Sequence, residues 1–228
     1  MGKHVCMTGF ATFTKQTLAL VLTLLVGLVL TSCGEKTTPK TAATRSATPT
    51  AEPTPQFRQL SKPELKSTLM TIKELPAGYA KDPDQSPSNK TYCNYKPVAT
   101  PNTEVIRQFT KGGGFSTQFL HFVIRQFDST DTADQAFTKM EQVLQRCRQD
   151  KVDGETIKYS LMSAPEIGDR SLGLKGSMSD QVDLMQYHVL VGPSIVSAAG
   201  AGIMNLDADE ATRLLEKQVQ RYQEKARS

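Results

Sequence analysis

Histidine is scarce in this chain, with three in 228 residues, and the four cysteines show no CxxC spacing. His4 lies in an N-terminal leader, which leaves His121 and His188. Two histidines without a neighbouring Cys, Asp or Glu cluster fall short of the three or four ligands a metal site needs. No metal or cofactor is therefore expected. No GxSxG elbow with a histidine partner is present, so serine hydrolysis lacks its nucleophile geometry. Gly112-Gly113-Gly114 follows Lys111 and leads into an extended segment rather than a helix N-terminus. That makes it a hairpin connection instead of a phosphate cradle. No internal repeat is visible. The formal charge of +4 shrinks once Lys3 and Lys15 leave with the leader, giving 25 basic against 23 acidic residues. A nucleic-acid binder would carry a basic stripe, so no nucleic-acid partner is expected.

What the chain does have begins at its N-terminus. Lys3 and Lys15 precede an uncharged Leu/Val-rich run from Thr17 to Thr31, and Leu30-Thr31-Ser32-Cys33 closes it. A basic start, an apolar core and small residues before the cut describe a secretory signal. With cysteine at the cleavage point the pattern resembles the lipobox of bacterial lipoproteins. That resemblance implies a diacylglycerol thioether on Cys33, removal of residues 1–32, and Cys33 as the new N-terminus. The chain would sit lipid-anchored on the extracytoplasmic face of the cell membrane. An uncleaved membrane anchor is the alternative, but the apolar run is shorter than the ~20 residues a spanning helix needs.

Residues 33–56 are rich in Thr, Pro, Ala and Ser. Such a composition cannot bury a core and predicts an extended tether. Residues 57–228, roughly 170 residues, suit one domain of ordinary size. Cys93 and Cys147 remain there as an even pair in an oxidising compartment, and are expected to form a disulfide.

Within the domain, Ser61 and Glu64 have capping-box spacing, with Pro63 tolerated in the first turn. Leu65, Leu69 and Ile72 mark one helical face that Pro76 and Gly78 would end. Thr103–Thr110 and Phe115–Phe127 read as strands joined across the glycines. On the second of these, Leu120, Phe122 and Ile124 alternate with Phe119, His121 and Val123. Both faces are apolar, so this strand should be internal. Ser129 or Asp131 caps a helix whose stripe runs Ala133, Ala136, Phe137, Met140, Val143, Leu144 and Cys147. Further strands are expected near Thr156–Met162, Arg170–Ser177 and Met185–Ala199, the last interrupted at Pro193. Asp207 and Glu210 open a terminal helix carrying Ala211, Leu214, Leu215, Val219 and Tyr222. Strands grouped in hairpins between helices predict one α+β domain, its sheet mainly antiparallel, with amphipathic helices packed on it.

Three stretches carry a family resemblance. They are Phe119–Ala133 continuing to Cys147, Glu166-Ile-Gly-Asp-Arg-Ser-Leu172, and the apolar strand Tyr187–Ala199 before a final helix. Their order resembles the extracellular sensor domain of the mycobacterial PknH-type receptor kinases, shared with many actinobacterial lipoproteins. Leu144 stands where that family often has tryptophan, and there is no second disulfide. The Mog1/PsbP-like α+β fold is a second candidate. The resemblance implies an exported sensing or ligand-binding module with a cleft beside the sheet. It supplies no catalytic residue and names no ligand.

The candidate ligand residues are Tyr92, Tyr95, His121 and Tyr187. Tyr92 and Tyr95 flank Cys93, where a crosslink would hold them rigid, and tyrosine combines an apolar body with a polar tip. Asp169 and Arg170 read as a turn with local pairing. Ser197–Gly202, all small, could floor a pocket or mark the sheet edge meeting a helix. The expected function is a non-enzymatic sensor or binder of a cell-envelope ligand or another exported protein. The alternative is a lipid or glycolipid carrier, which needs an internal apolar cavity.

Overall fold

A computed structural model describes residues 56–86, 93, 95–152, 154–178, 182–202 and 207–227. They belong to the compact unit Ala51–Ser228, and the leader, the lipobox and all of the tether but Gln56 lie outside the described residues. Eight strands form one sheet: β1 (Tyr79–Lys81), β2 (Thr103–Lys111), β3 (Gln118–Gln126), β4 (Gln149–Val152), β5 (Glu155–Met162), β6 (Arg170–Met178), β7 (Val182–Val191) and β8 (Ser194–Gly202). Their order across the sheet is β1-β2-β3-β8-β7-β6-β5-β4, and every neighbouring pair is antiparallel. The α+β class and the antiparallel sheet are as expected.

Three helices cover the sheet: α1 (Lys62–Thr68), α2 (Thr130–Arg146) and α3 (Ala208–Ala226). Strand alternation sorts the core into two layers. On one face Phe109, Phe122, Ile124, Val189 and Val196 pack against Leu65 and Leu69 of α1 and Leu215, Val219 and Tyr222 of α3. On the other, Leu172, Leu174, Leu190 and Ile195 meet the stripe of α2, from Ala133 through Phe137 to Leu144 and Cys147. Ser129 caps α2 by accepting from the Thr132 amide, and Asp207 caps α3 by accepting from the Asp209 and Glu210 amides. β3 is internal, as its two apolar faces require.

The first helix ends earlier than its periodicity suggests. Ser61 and Glu64 form the capping box, but α1 stops at Thr68, and Ile72–Glu74 is a separate 3-10 turn with its own capping box from Thr71. Ile72, expected on the apolar face, is 43% exposed. The reason lies far away in sequence. A helix end leaves carbonyls without intrahelical partners. Here Arg107 of β2 donates to the Lys66, Leu69 and Met70 carbonyls, and Arg221 of α3 donates to those of Ser67 and Thr68. Gln218, fully buried, donates to the Thr68 carbonyl and accepts from the Met70 amide.

The interruption at Pro193 is not a break in one strand. Gly192-Pro193 is a two-residue turn between the long strands β7 and β8. Gly192 has φ +51°, and a positive φ at the first central position belongs to the II′ hairpin turn. A Cβ there would also lie 2.5 Å from the ring of Phe57. That ring stacks on Tyr222 at 6.5 Å, with the Arg227 guanidinium 5.0 Å from its centroid. The Arg58 amide bonds the Ala226 carbonyl, and Gln126 pairs with both the amide and the carbonyl of Leu60. The chain at Phe57–Leu60 therefore enters the domain at the pole formed by the β7–β8 turn and the end of α3.

Two stability outcomes follow. Replacing Gln218 with Ala leaves the Met70 amide and Thr68 carbonyl less well satisfied, costing about 1–3 kcal/mol in chemical denaturation, whereas Gln220→Ala on the exposed face stays within about 0.5 kcal/mol. Removing both Cys93 and Cys147, whose bond spans 54 residues, lowers stability by up to about 4 kcal/mol in the chain-entropy estimate. A thermal midpoint unchanged by that removal would show that the crosslink does not hold this domain.

Candidate functional site

Cys93 and Cys147 are bonded, with Cα atoms 5.8 Å apart. Cys147 closes α2, and the Cys93 amide donates to Asp150 of β4, so the crosslink fixes the segment leading to β2 against the second core layer. Cys93 itself holds φ +60°, unusual for a residue with a side chain. Of the expected ligand residues, Tyr92 lies outside the described residues, as does Cys33. Tyr95 packs into the α2 layer and donates to the Ala136 carbonyl at 3.4 Å. His121 sits on β3, on the sheet face that carries α2. Tyr187 is on the opposite face, 3% exposed, with its hydroxyl accepting from Thr212 of α3. The three described residues thus do not converge on one site. A ligand would reach Tyr187 only if α3 moved.

The remaining polar groups are structural. His188 is fully buried, its Nδ1 2.8 Å from the Ser197 hydroxyl, and burial pushes its pKa down to about 3, with Arg125 adding to the effect. Ser197 is also buried, so this pair has no open approach for a substrate. His121 and His188 share a sheet face but lie two strands apart, about 10 Å at the usual spacing, and are also offset along the strands. Among the described residues no three His, Cys, Asp or Glu side chains gather as a metal would require.

The Gly168-Asp169-Arg170 segment pairs over long distances rather than locally. Asp169 accepts from the Gly192 amide at 2.7 Å, locking the start of β6 to the β7–β8 turn. Arg170 reaches α2, forming ion pairs with Asp134 and Glu141 and lying 4.8 Å from the Phe137 ring centroid.

The small-residue run is not at a sheet edge, because β8 is an internal strand between β3 and β7. Its alternation serves both faces. Ala198 and Gly200 face α3 and line a cavity of about 10 Å³ with Phe122, Met185, Tyr187 and Leu214. That volume holds at most one water molecule, so the acyl-chain space required of a carrier is not formed there.

Ala199 and Ala201 face the other way, and the register aligns them with their neighbours. Gln108, His121, Ala199 and Gln186 form one row across β2, β3, β8 and β7, and Thr110, Phe119, Ala201 and Leu184 form the next. All these side chains are at least partly accessible, and Phe119 is 40% exposed. No member is charged. Burial, with a contribution from Arg125, lowers the pKa of His121, which favours the neutral imidazole. Gln108, His121 and Gln186 make no side-chain hydrogen bond among the described residues. This two-row platform is the candidate site. Sequence reasoning found His121 and noted Phe119 beside it, but it missed Gln108 and Gln186. Only strand pairing brings them into line.

The platform also has a position relative to the tether. Phe119 and Gln126 are seven residues apart on β3, about 24 Å, with Gln126 bonded to Leu60 at the tether's pole. The platform therefore lies at the end of the sheet remote from where the chain enters.

No family model matches this chain, and no curated protein matches it. Among solved structures it is similar to the extracellular domain of PknH from Mycobacterium tuberculosis. That match has a TM-score of 0.57 and 10% identity, and it covers 74% of this chain and 99% of that one. An uncharacterized protein from Mycobacterium smegmatis, an Rv0999 ortholog, aligns at a TM-score of 0.33 and 14% identity over 68% of this chain and 79% of that one. The second score supports no argument. The first shows that this chain has the fold of the PknH extracellular domain, which agrees with the resemblance drawn from the three sequence stretches.

His188 generates a pH prediction. Its folded pKa lies below its unfolded value near 6.5, so the unfolded chain binds the extra proton. Stability from this group is complete above about pH 6.5 and falls as pH drops toward 3, on the order of 1 kcal/mol per pH unit. Denaturation midpoints should decline over that window, and His188→Asn should flatten the slope even where it lowers overall stability. An equal slope in both proteins would assign the acid sensitivity to other groups.

Proposed function

We propose that this chain is an exported lipoprotein whose domain acts as a non-enzymatic sensor or binding module of the cell envelope. The observation that carries this is the pairing of a lipobox at Cys33 with the fold of a kinase's extracellular domain. The resemblance to a sensor domain lends the role, and the buried His188–Ser197 pair offers a substrate no approach. Diacylglycerol on Cys33 would hold the protein on the extracytoplasmic face of the membrane. From Cys33 to Phe57 the tether could extend at most about 80 Å. Because it enters at one pole, the platform at the other is free to face outward, toward envelope ligands or exported partners. Among the described residues no helix is long and apolar enough to cross a membrane, so in this reading attachment rests on the lipid.

The test is the N-terminus of the protein recovered from its own membranes. Intact mass spectrometry should give a chain beginning at Cys33 with a diacylglyceryl addition. Cys33→Ala should abolish the addition and leave the leader uncut. A wild-type chain still beginning at Met1 without lipid would overturn the lipoprotein assignment in favour of the uncleaved anchor.

A further inference from the structure

The chemistry of the platform narrows what it can bind, and this inference rests on the binding-module reading. Its rows contain amides, an imidazole, a hydroxyl, an open aromatic ring and two alanines, with no formal charge. At the platform's edge the Thr110 hydroxyl donates to the Asp82 carboxylate at 2.8 Å, and farther along this face Arg125 is bonded to Glu104 at 2.9 Å. An anionic ligand would find no cation offered to it. A peptide adding itself as a strand needs an open sheet edge, but β3, β8 and β7 are internal and their backbones are paired on both sides. A lipid tail needs enclosed apolar volume, and the cavity on the other face has about 10 Å³.

What fits is a neutral ligand dense in hydroxyl groups. Each glutamine amide offers donors and an acceptor, and a neutral imidazole offers one of each. Gln108, His121 and Gln186 therefore present both kinds of partner in a single row, and none of them makes a side-chain hydrogen bond among the described residues. Phe119 presents its ring in the adjacent row, and the negative π-face of a ring attracts C–H groups polarised by neighbouring oxygens. Ala199 and Ala201 keep the floor low between Phe119 and His121 on one side and Leu184 and Gln186 on the other. We propose that this platform binds an uncharged oligosaccharide of the cell envelope, with sugar hydroxyls on the three polar side chains and a sugar face on Phe119.

The experiment uses the full mature chain in detergent micelles, titrated calorimetrically with chitotetraose, mannotetraose and maltotetraose, and with a heparin tetrasaccharide as the charged probe. At least one neutral probe should bind, with affinity insensitive to salt. Phe119→Ala should weaken it about tenfold, and Phe119→Tyr should retain it. Gln186→Ala should weaken it without shifting the thermal midpoint. Absence of neutral binding, preference for the heparin probe, or binding that Phe119→Ala and Gln186→Ala leave intact would overturn the assignment. A photo-crosslinker at position 119 that captures an exported protein in cells would also overturn the glycan, while leaving the binding-module reading standing. The lipoprotein assignment fails separately, at the Cys33 mass.

Discussion

The nine-residue pairing of β3 with β8 is the joint on which the rest of the domain depends. It unites a meander of three strands with a meander of five, although the two strands lie some seventy residues apart in the chain. Its register decides which side chains face which helix layer. A slip of one residue would turn Phe122 and Ile124 away from α1 and α3 and expose the apolar set on the wrong face. β8 is suited to this place by its small residues. Ala198 and Gly200 admit α3 closely, and their neighbours in the alternation open the platform on the reverse side.

Around this joint, single polar side chains act as long-range fasteners. Gln126 holds Leu60, Gln218 and Arg221 hold the end of α1, Asp169 holds the β7–β8 turn, and the Tyr222 hydroxyl donates to buried Ser194 at 2.8 Å. Each satisfies a group whose desolvation would otherwise cost free energy. Apolar packing alone tolerates many near-equivalent arrangements, whereas these bonds distinguish one. The two core layers supply the bulk of the stability, and the fasteners select the geometry.

Long periodic segments were legible in the sequence. The stripes and caps of α2 and α3 and the two-faced apolar character of β3 follow from spacing alone. β1 and β4, three and four residues long, were not legible, because so short a strand exists only through its neighbour. The early end of α1 was equally hidden, since Arg107, Gln218 and Arg221 arrive from other elements. The turn at Gly192-Pro193 was visible as an interruption but not as a hairpin between two long strands. For the site, the parity of β3 placed His121 beside Phe119 correctly. Parity cannot show that Gln108 and Gln186 join them, nor that Tyr187 falls on the opposite face, because only inter-strand register carries that information. The lipobox and tether expected from the residue pattern are the reverse case, since they lie almost wholly outside the described residues.

The stacking of Phe57 between Gly192, Tyr222 and Arg227 brings the two ends of the domain to one pole. A pull between the residue before Phe57 and the end of α3 would therefore load only that corner and would not run along the strands. Tension would peel Phe57 and the residues after it from Tyr222 and Ala226 one contact at a time, while the sheet stayed unstretched. A reporter fused after Arg227 would emerge beside Phe57 and leave the far end of the sheet unobstructed.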